Sequence, residues 1–381
     1  MDILYLNGKL KERITSMKKK SMLIIVLIIT FAVSIFTFNK NHELVDKESL
    51  AVFIDDVKAD SFPSKGTVTF LKADCDNNAT IEWDKDSWGL FASNLTKKTK
   101  CNLYFKNLES INDKLNDLVK SDKTNIASDD PDGNIRYIGA SPSNYVYFNC
   151  SDYDNQTSDT CEIWRIIGLF KNINKEDGTK EDLVKIIKDD SIGSVAWDTN
   201  NSNIWANASL KSSFNSGIYY NKTLKNDTTR NMIESVVWKL GSTTSFIGDS
   251  DGNPSSLYSA ERNSSNSNNW TGKIALMYPS DYGYAVGGSD RETCLSKSLY
   301  NWSSMPKCYN NNYLYKANIY QWTLMTNNLT GSYVYAVKSN GGFNYGNAYS
   351  TDDARPSLFL KSGIIINNGD GSRTNPYQLS F

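Results

Sequence analysis

Short apolar segments, most of them alternating and separated by polar turn formers, recur along most of this chain. "LAVFID", "GTVTFLKADC", "ATIEWD", "WGLFAS" and "TKCNLYFK" follow one another between Leu50 and Asn107. Period-two alternation over a few residues with turns such as "PSKG" and "DNN" between them predicts half-buried strands. Val68 shares a face with Phe70, and Leu103 with Phe105. The expected product is a small all-β sandwich over 50–107, antiparallel, with Trp83 and Trp88 in its core or rim. The pattern then changes. In "NLESINDKLNDLVKSD", Leu108, Ile111, Leu115 and Leu118 recur at helical spacing, which predicts an amphipathic helix within a helical linker over 108–133.

From 134 to 381 the pattern mixes both periods and predicts one larger α+β domain. "IRYIGA", "YVYFNC", "EIWRIIGLF" and "LVKIIK" read as strands of a meander. "IWANASLKSSFNSG" reads as a weak helix and "NDTTRNMIESVVWKLG" as a strong one. In the latter, Asp227 or Thr228 would cap, Met232, Ile233, Val236, Val237 and Leu240 would form the apolar face, and Gly241 would supply the left-handed stop. Short strands return in "KIALMYP", "YQWTLMT", "YVYAVKS" and "PSLFLKSGIII". "NGGFNYGNAYSTDD", just before the "ARPSLFLK" strand, reads as a surface loop held by that strand.

One segment departs from both periods. "SMLIIVLIITFAVSIFTF", residues 21–38, is uncharged and almost wholly apolar. At 1.5 Å per residue it nearly spans a hydrocarbon core, which predicts a transmembrane helix. Six basic side chains against Asp2 and Glu12 make residues 1–20 a basic tail. The positive-inside bias then places the N-terminus in the cytoplasm, residues 39–49 as a stalk, and the remainder outside the cell. The rival is a cleaved signal peptide, with "AVS" at Ala32–Ser34 as the peptidase site. The anchor is favoured because the apolar run continues past that point.

Charge and cysteine content fit this placement. The 381-residue chain carries a formal net charge of −1. With its positive charge concentrated at the N-terminus, the body is mildly acidic, which argues against nucleic acid as a partner. Six cysteines allow fifteen pairings. Neighbours in sequence fall within one module each, so in an exported chain the expected disulfides are Cys75–Cys101, Cys150–Cys161 and Cys294–Cys308. No Cys-x-x-Cys occurs, which weakens zinc and redox readings.

Several motifs together resemble a family of bacterial cell-surface domains of unknown function: "DDPDGNIRYIGASPSNYVYFNC", "CEIWRIIGLF", "NDTTRNMIESVVWKLG", "WTGKIALMYPSDYGYA", "QWTLM" and "ARPSLFLKSGIIINNGDGSRTNPYQL". The resemblance covers Asp129 to Phe381, and the Leu50–Asn107 module resembles the two-cysteine β-domain that often precedes it. The larger domain in turn looks distantly like the C-type-lectin-like fold, in its formylglycine-generating-enzyme-like branch. Enzymes on that fold use redox-active cysteines. Here the cysteines are better explained as disulfides, so that activity is not carried over.

Candidate chemistry is sparse. The single histidine, His42, precedes the body, so a catalytic triad or histidine-based zinc site is excluded there. No phosphate loop or dinucleotide fingerprint occurs. Calcium is the best cofactor candidate. Asp249, Asp251 and Asn253 in "DSDGN", and Asp129, Asp130, Asp132 and Asn134 in "DDPDGN", alternate oxygen ligands around a glycine. An Asp-Gly turn needs the same residues. The 22 tyrosines and 9 tryptophans are the other lead. Trp164, Trp238 and Trp322 sit in apolar contexts, and Trp205 and Trp270 in polar ones. Tyr and Asn give adaptable contacts at low entropy cost. Trp322, Phe343, Asn344, Tyr345, Asn347, Tyr349, Asp352 and Asp353 are therefore the expected ligand-binding residues. The resulting expectation is a membrane-anchored surface protein of the adhesion type, without enzymatic activity, displaying a domain for an extracellular glycan or protein ligand. The alternatives are a cell-envelope spacer and an exported Asp/Glu-dependent hydrolase.

Overall fold

The computed structural model describes residues 23–25, 50–64, 66–84, 87–94, 99–244, 251–263 and 269–381. The chain divides into two compact units, with the boundary between Leu108 and Glu109.

The first unit is built from two sheets. Strands Val57–Ala59, Leu50–Ile54, Cys101–Asn107 and Val68–Cys75 form one, in that order. Leu23–Ile25, Gly89–Ser93 and Thr80–Asp84 form the other. Val52, Val68, Leu103 and Phe105 from the first sheet and Leu90 from the second make one buried cluster. Trp83 closes it, stacking on Phe70 at 5.5 Å and meeting Trp88 edge-on at 4.7 Å. Leu50–Ile54 runs parallel to Cys101–Asn107, so the unit is not purely antiparallel. Cys75 and Cys101 are cross-strand partners and are disulfide-bonded.

The expected transmembrane helix is corrected here. Leu23–Ile25 is a strand, paired antiparallel with Gly89–Ser93 in the register Leu23↔Ala92. No helix among the described residues is long and apolar enough to cross a membrane. The physical reason is that an apolar run rich in Ile, Leu and Val satisfies a sheet as readily as a helix. The rest of residues 21–38, the basic tail 1–20 and the stalk 39–49 lie outside the described residues.

The second unit is also dominated by sheet, and among its described residues no helix exceeds eleven residues; this corrects the expected α+β balance. Its largest sheet orders Ile274–Ala275, Ser357–Phe359, Lys180–Lys188, Glu162–Asn174, Ile135–Tyr137 and Ile126–Ala127. Tyr145–Phe148 pairs onto Glu162–Asn174 as the seventh strand. Residues 164–170 are buried without a break, the mark of a strand covered on both faces. Gly168 is fixed by close approach, since a Cβ there would stand 2.1 Å from the Ile135 carbonyl oxygen. A second sheet orders Ser194–Ala196, Thr351–Asp353, Gln321–Asn327, Tyr333–Val337 and Phe343–Asn347, with Ser242–Thr243 added in parallel.

Three local expectations change. Residues 227–240 are not one helix. Helix Asp227–Met232 stops, and Val236–Trp238 is a strand paired with Trp270–Gly272. Asn226 is the cap, accepting the Thr229 amide at 2.9 Å. Gly241 is a contact residue and not a left-handed stop: its N–H bonds the Glu261 carbonyl at 2.9 Å, and a Cβ would meet the Ala260 oxygen at 1.9 Å. Helix Ile111–Ser121, expected in a linker, belongs to the second unit, with Ile111 and Leu115 fully buried in its core. Cys150–Cys161 and Cys294–Cys308 are bonded, and no cysteine is free.

Candidate functional site

The second unit contains a cleft of 340 Å³. Four rings form its floor: Phe170 from the long strand, Trp238, Tyr278 and Phe359. Each is at most 6% exposed, so the cleft meets them as edges and narrow faces. The walls are polar. Lys171, Asn172 and Asn174 continue the long strand, and Lys239 follows Trp238. Asn172 adopts φ 52°, a left-handed conformation that asparagine tolerates. Tyr258 and Arg262 come from helix Pro254–Arg262. Their spacing of four places them on one helix face, with the guanidinium 3.5 Å from the tyrosine ring centre.

Hydrogen bonds tie these walls together. Tyr258 donates to Asp132 at 2.5 Å, and its hydroxyl accepts from the Asn134 amide at 2.9 Å. The Asn134 side-chain oxygen accepts the Lys171 N–H at 2.7 Å. The Tyr278 hydroxyl accepts the Lys239 N–H and donates to the Lys239 carbonyl, both at 2.9 Å.

Behind the floor lies a buried ionic cluster. Lys185 is fully buried and sits 2.5 Å from Asp281. Its ammonium faces the same four rings, from 4.4 Å at Tyr278 to 5.6 Å at Phe359. Arg136 bridges Asp130 at 2.7 Å and Asp281 at 2.9 Å. Burial works against the Asp281 charge, but Lys185 and Arg136 hold its carboxyl below the usual range. Glu261, also buried, accepts from the Ser280 amide and hydroxyl at 2.8 and 2.6 Å and from Arg262 at 3.0 Å. Burial pushes its carboxyl up, against the pull of Arg262 and Ser280.

The cleft lining carries three cations, Lys171, Lys239 and Arg262, against one carboxylate, Asp132. Lys171 also pairs with Asp182 at 2.8 Å, and Arg262 lies 3.9 Å from Asp132. A lone carboxylate does not make the acid/base pair that glycoside hydrolysis uses. Three cations, several amides and an aromatic floor suit the recognition of a polar ligand with an acidic group.

The residues expected to bind ligand lie elsewhere. Trp322 is 1% exposed and donates to the Val195 carbonyl at 2.9 Å, and Phe343 is buried on Tyr335; both are core. Asn344, Tyr345 and Asn347 are half-buried on Phe343–Asn347, which is the outer strand of its sheet and not a loop. Tyr345 stacks on Tyr333 at 4.6 Å, and Tyr349 is exposed. Asp352 and Asp353 belong to the strand Thr351–Asp353. These residues are spread across one sheet and the turn beside it, with Asp352 and Asp353 on the far side of it from Phe343–Asn347, and none lines the cleft. Of the calcium candidates, Asp249 is outside the described residues. Asn253 caps the helix that starts at Pro254, accepting from Ser256 at 2.9 Å. Asp130 is engaged by Asn134 and Arg136. Among the described residues no cluster of His, Cys, Asp or Glu is arranged to hold a metal.

The cleft went unrecognised as a site because its residues come from six separated segments; Asp132 and Asn134 were singled out only as calcium candidates and Trp238 only as an aromatic in an apolar context. One signal for the ionic cluster behind the cleft was available: single charges inside apolar strands, Arg136 in "IRYIG" and Lys185 in "LVKIIK". Such residues are almost never fully buried unless paired. Comparison with protein-family models, curated proteins and solved structures finds no match for this chain, so the functional reading rests on geometry.

Proposed function

We propose that this is an exported binding protein whose second unit takes an acidic saccharide in the cleft. The observation that carries the reading is the lining itself: three cations against one carboxylate, set among amides over an aromatic floor. Lys239 and Arg262 would hold the acidic group. Asn172 and Asn174 would meet hydroxyls, and the ring edges would exclude water from the apolar side of the sugar. Three disulfides and no free cysteine suit an oxidising compartment outside the cytoplasm. The test is a screen of the full chain against acidic and neutral saccharides. Retention should favour the acidic set and fall at least tenfold in Lys239→Ala with Arg262→Ala. Equal retention of neutral sugars, or no effect of the double variant, would sink the assignment.

A second reading rests on the sheet edge. Phe343–Asn347 is an outer strand, its Tyr345 stacks on Tyr333 of the neighbouring strand, and Tyr349 is 56% exposed nearby. This surface suits a protein or glycan contact made by tyrosine and asparagine. Tyr345→Ala with Tyr349→Ala separates the two readings: it should abolish binding at the edge and leave cleft binding intact.

A further inference from the structure

A second ionic cluster in the same unit has too few negative charges. Asp189 follows the strand Lys180–Lys188 and is 2% exposed. It is shared by three cations: Lys316 at 2.8 Å, Arg373 at 3.5 Å and Arg165 at 3.7 Å. Arg355, the residue that opens the late "ARPSLFLK" strand, is a fourth neighbour. Its guanidinium is 2% exposed and touches only neutral oxygens: the Lys188 carbonyl at 2.9 Å, the Leu314 carbonyl at 3.1 Å and the Gln321 amide oxygen at 2.9 Å. Its Nη2 is buried and has no hydrogen-bond partner. Burial, with Arg165 adding to it and Asp189 opposing, pulls this guanidinium down to about 10. The one other acid near the group, Asp190, is exposed.

Buried charges are expected to be paired, because an unpaired one costs several kcal/mol. Arg136 also leaves Nη2 without a hydrogen bond. However, Arg136 bonds two carboxylates and lies 4.5 Å from the Phe170 ring. Arg355 has no contacting carboxylate and no such ring. The cluster opens to solvent on one side, where the side chain of Lys316 is 27% and that of Arg373 70% exposed.

We propose that this cluster is a binding site for a small oxyanion group, held by Arg355 and Arg165 from inside and by Lys316 and Arg373 from the surface. Guanidinium and ammonium donors gathered in one cluster recognise phosphate, sulfate or carboxylate by charge-assisted hydrogen bonds. The site is separate from the cleft and does not depend on what the cleft binds.

The test is thermal unfolding of the full chain, titrated with inorganic phosphate, sulfate or acetate at constant ionic strength, with chloride as reference. At least one oxyanion should raise the melting temperature saturably, as ligand linkage requires. Phosphate and sulfate acting without acetate would identify a tetrahedral oxyanion, and acetate acting alone a carboxylate. Both outcomes support the site. Lys316→Ala with Arg373→Ala, which removes the two donors nearest solvent and leaves Arg355 and Arg165 in place, should raise the half-saturating concentration at least tenfold. No saturable rise with any of the three would overturn the proposal. So would an unchanged titration in the double variant, because general salting-out stabilises both proteins alike and does not saturate.

Discussion

The second unit buries two ionic clusters that differ in how their charge is balanced. Around Asp281, the cations Arg136 and Lys185 meet the carboxylates Asp130 and Asp281, and the neighbouring Glu261 meets Arg262, which also lines the cleft. The carboxyls of Asp281 and Glu261 are fully buried. Around Asp189, three cations share that one carboxylate and a fourth, Arg355, stands by with no contacting carboxylate, while Asp190 is nearby and exposed. The first cluster is closed and behaves as a scaffold: it sits behind the four rings and fixes the walls of the cleft from below. The second is open, with two of its cations reaching the surface. A buried charge network with its counter-ions in place is structural. One that lacks them points to a ligand.

The largest effect should come from Asp281→Asn. It strips Lys185 and Arg136 of a shared counter-ion in a dry interior, and breaking such a pair costs about 3–5 kcal/mol. Urea unfolding measures the loss, and phosphate should not restore it. Asp189→Asn should cost less, because Lys316 and Arg373 can turn to solvent. Phosphate should stabilise that variant more than the natural protein. If phosphate rescued both variants equally, the contrast between a closed and an open cluster would fail.

Smaller and dependent on pH is Glu261→Gln. Burial raises the Glu261 carboxyl, so folding takes up a proton there. The stability this group contributes is complete below its unfolded value, about 4.3, and is lost as pH rises through the higher folded value. Glutamine carries no such loss. The stability gap between the natural protein and the variant should therefore narrow or reverse as pH rises from about 4 to about 7. A constant gap would show that folding does not shift the Glu261 carboxyl, and a widening one that it is held ionised in its pocket.

Much of the sheet was legible as pattern. "IRYIG", "YVYF", "EIWRIIGLF", "LVKIIK" and "SLFL" are apolar runs, and each contains or lies within a strand of the largest sheet. Cysteine proximity pointed to the three disulfides that the structure contains. Three features misled. An apolar run containing Leu23–Ile25 has no period to separate strand from helix. Val236 and Val237 fit a helical stripe, yet β-branched residues followed by Trp238 favour the strand they form. Gly241 looks like a helix stop and is instead a point where another helix's backbone comes close. Phe343–Asn347 escaped because an outer strand with one face half-open needs little hydrophobicity. The cleft was hidden for a different reason. Its residues run from Asp132 to Phe359, and only the folded sheet brings them together.

The most direct measurement is a calorimetric titration of one acidic saccharide into three full-length proteins: the natural chain, Lys239→Ala/Arg262→Ala and Tyr345→Ala/Tyr349→Ala. The cleft assignment predicts that affinity falls at least tenfold in the first double variant and is unchanged in the second. The reverse pattern would move the binding surface to the sheet edge and contradict the account.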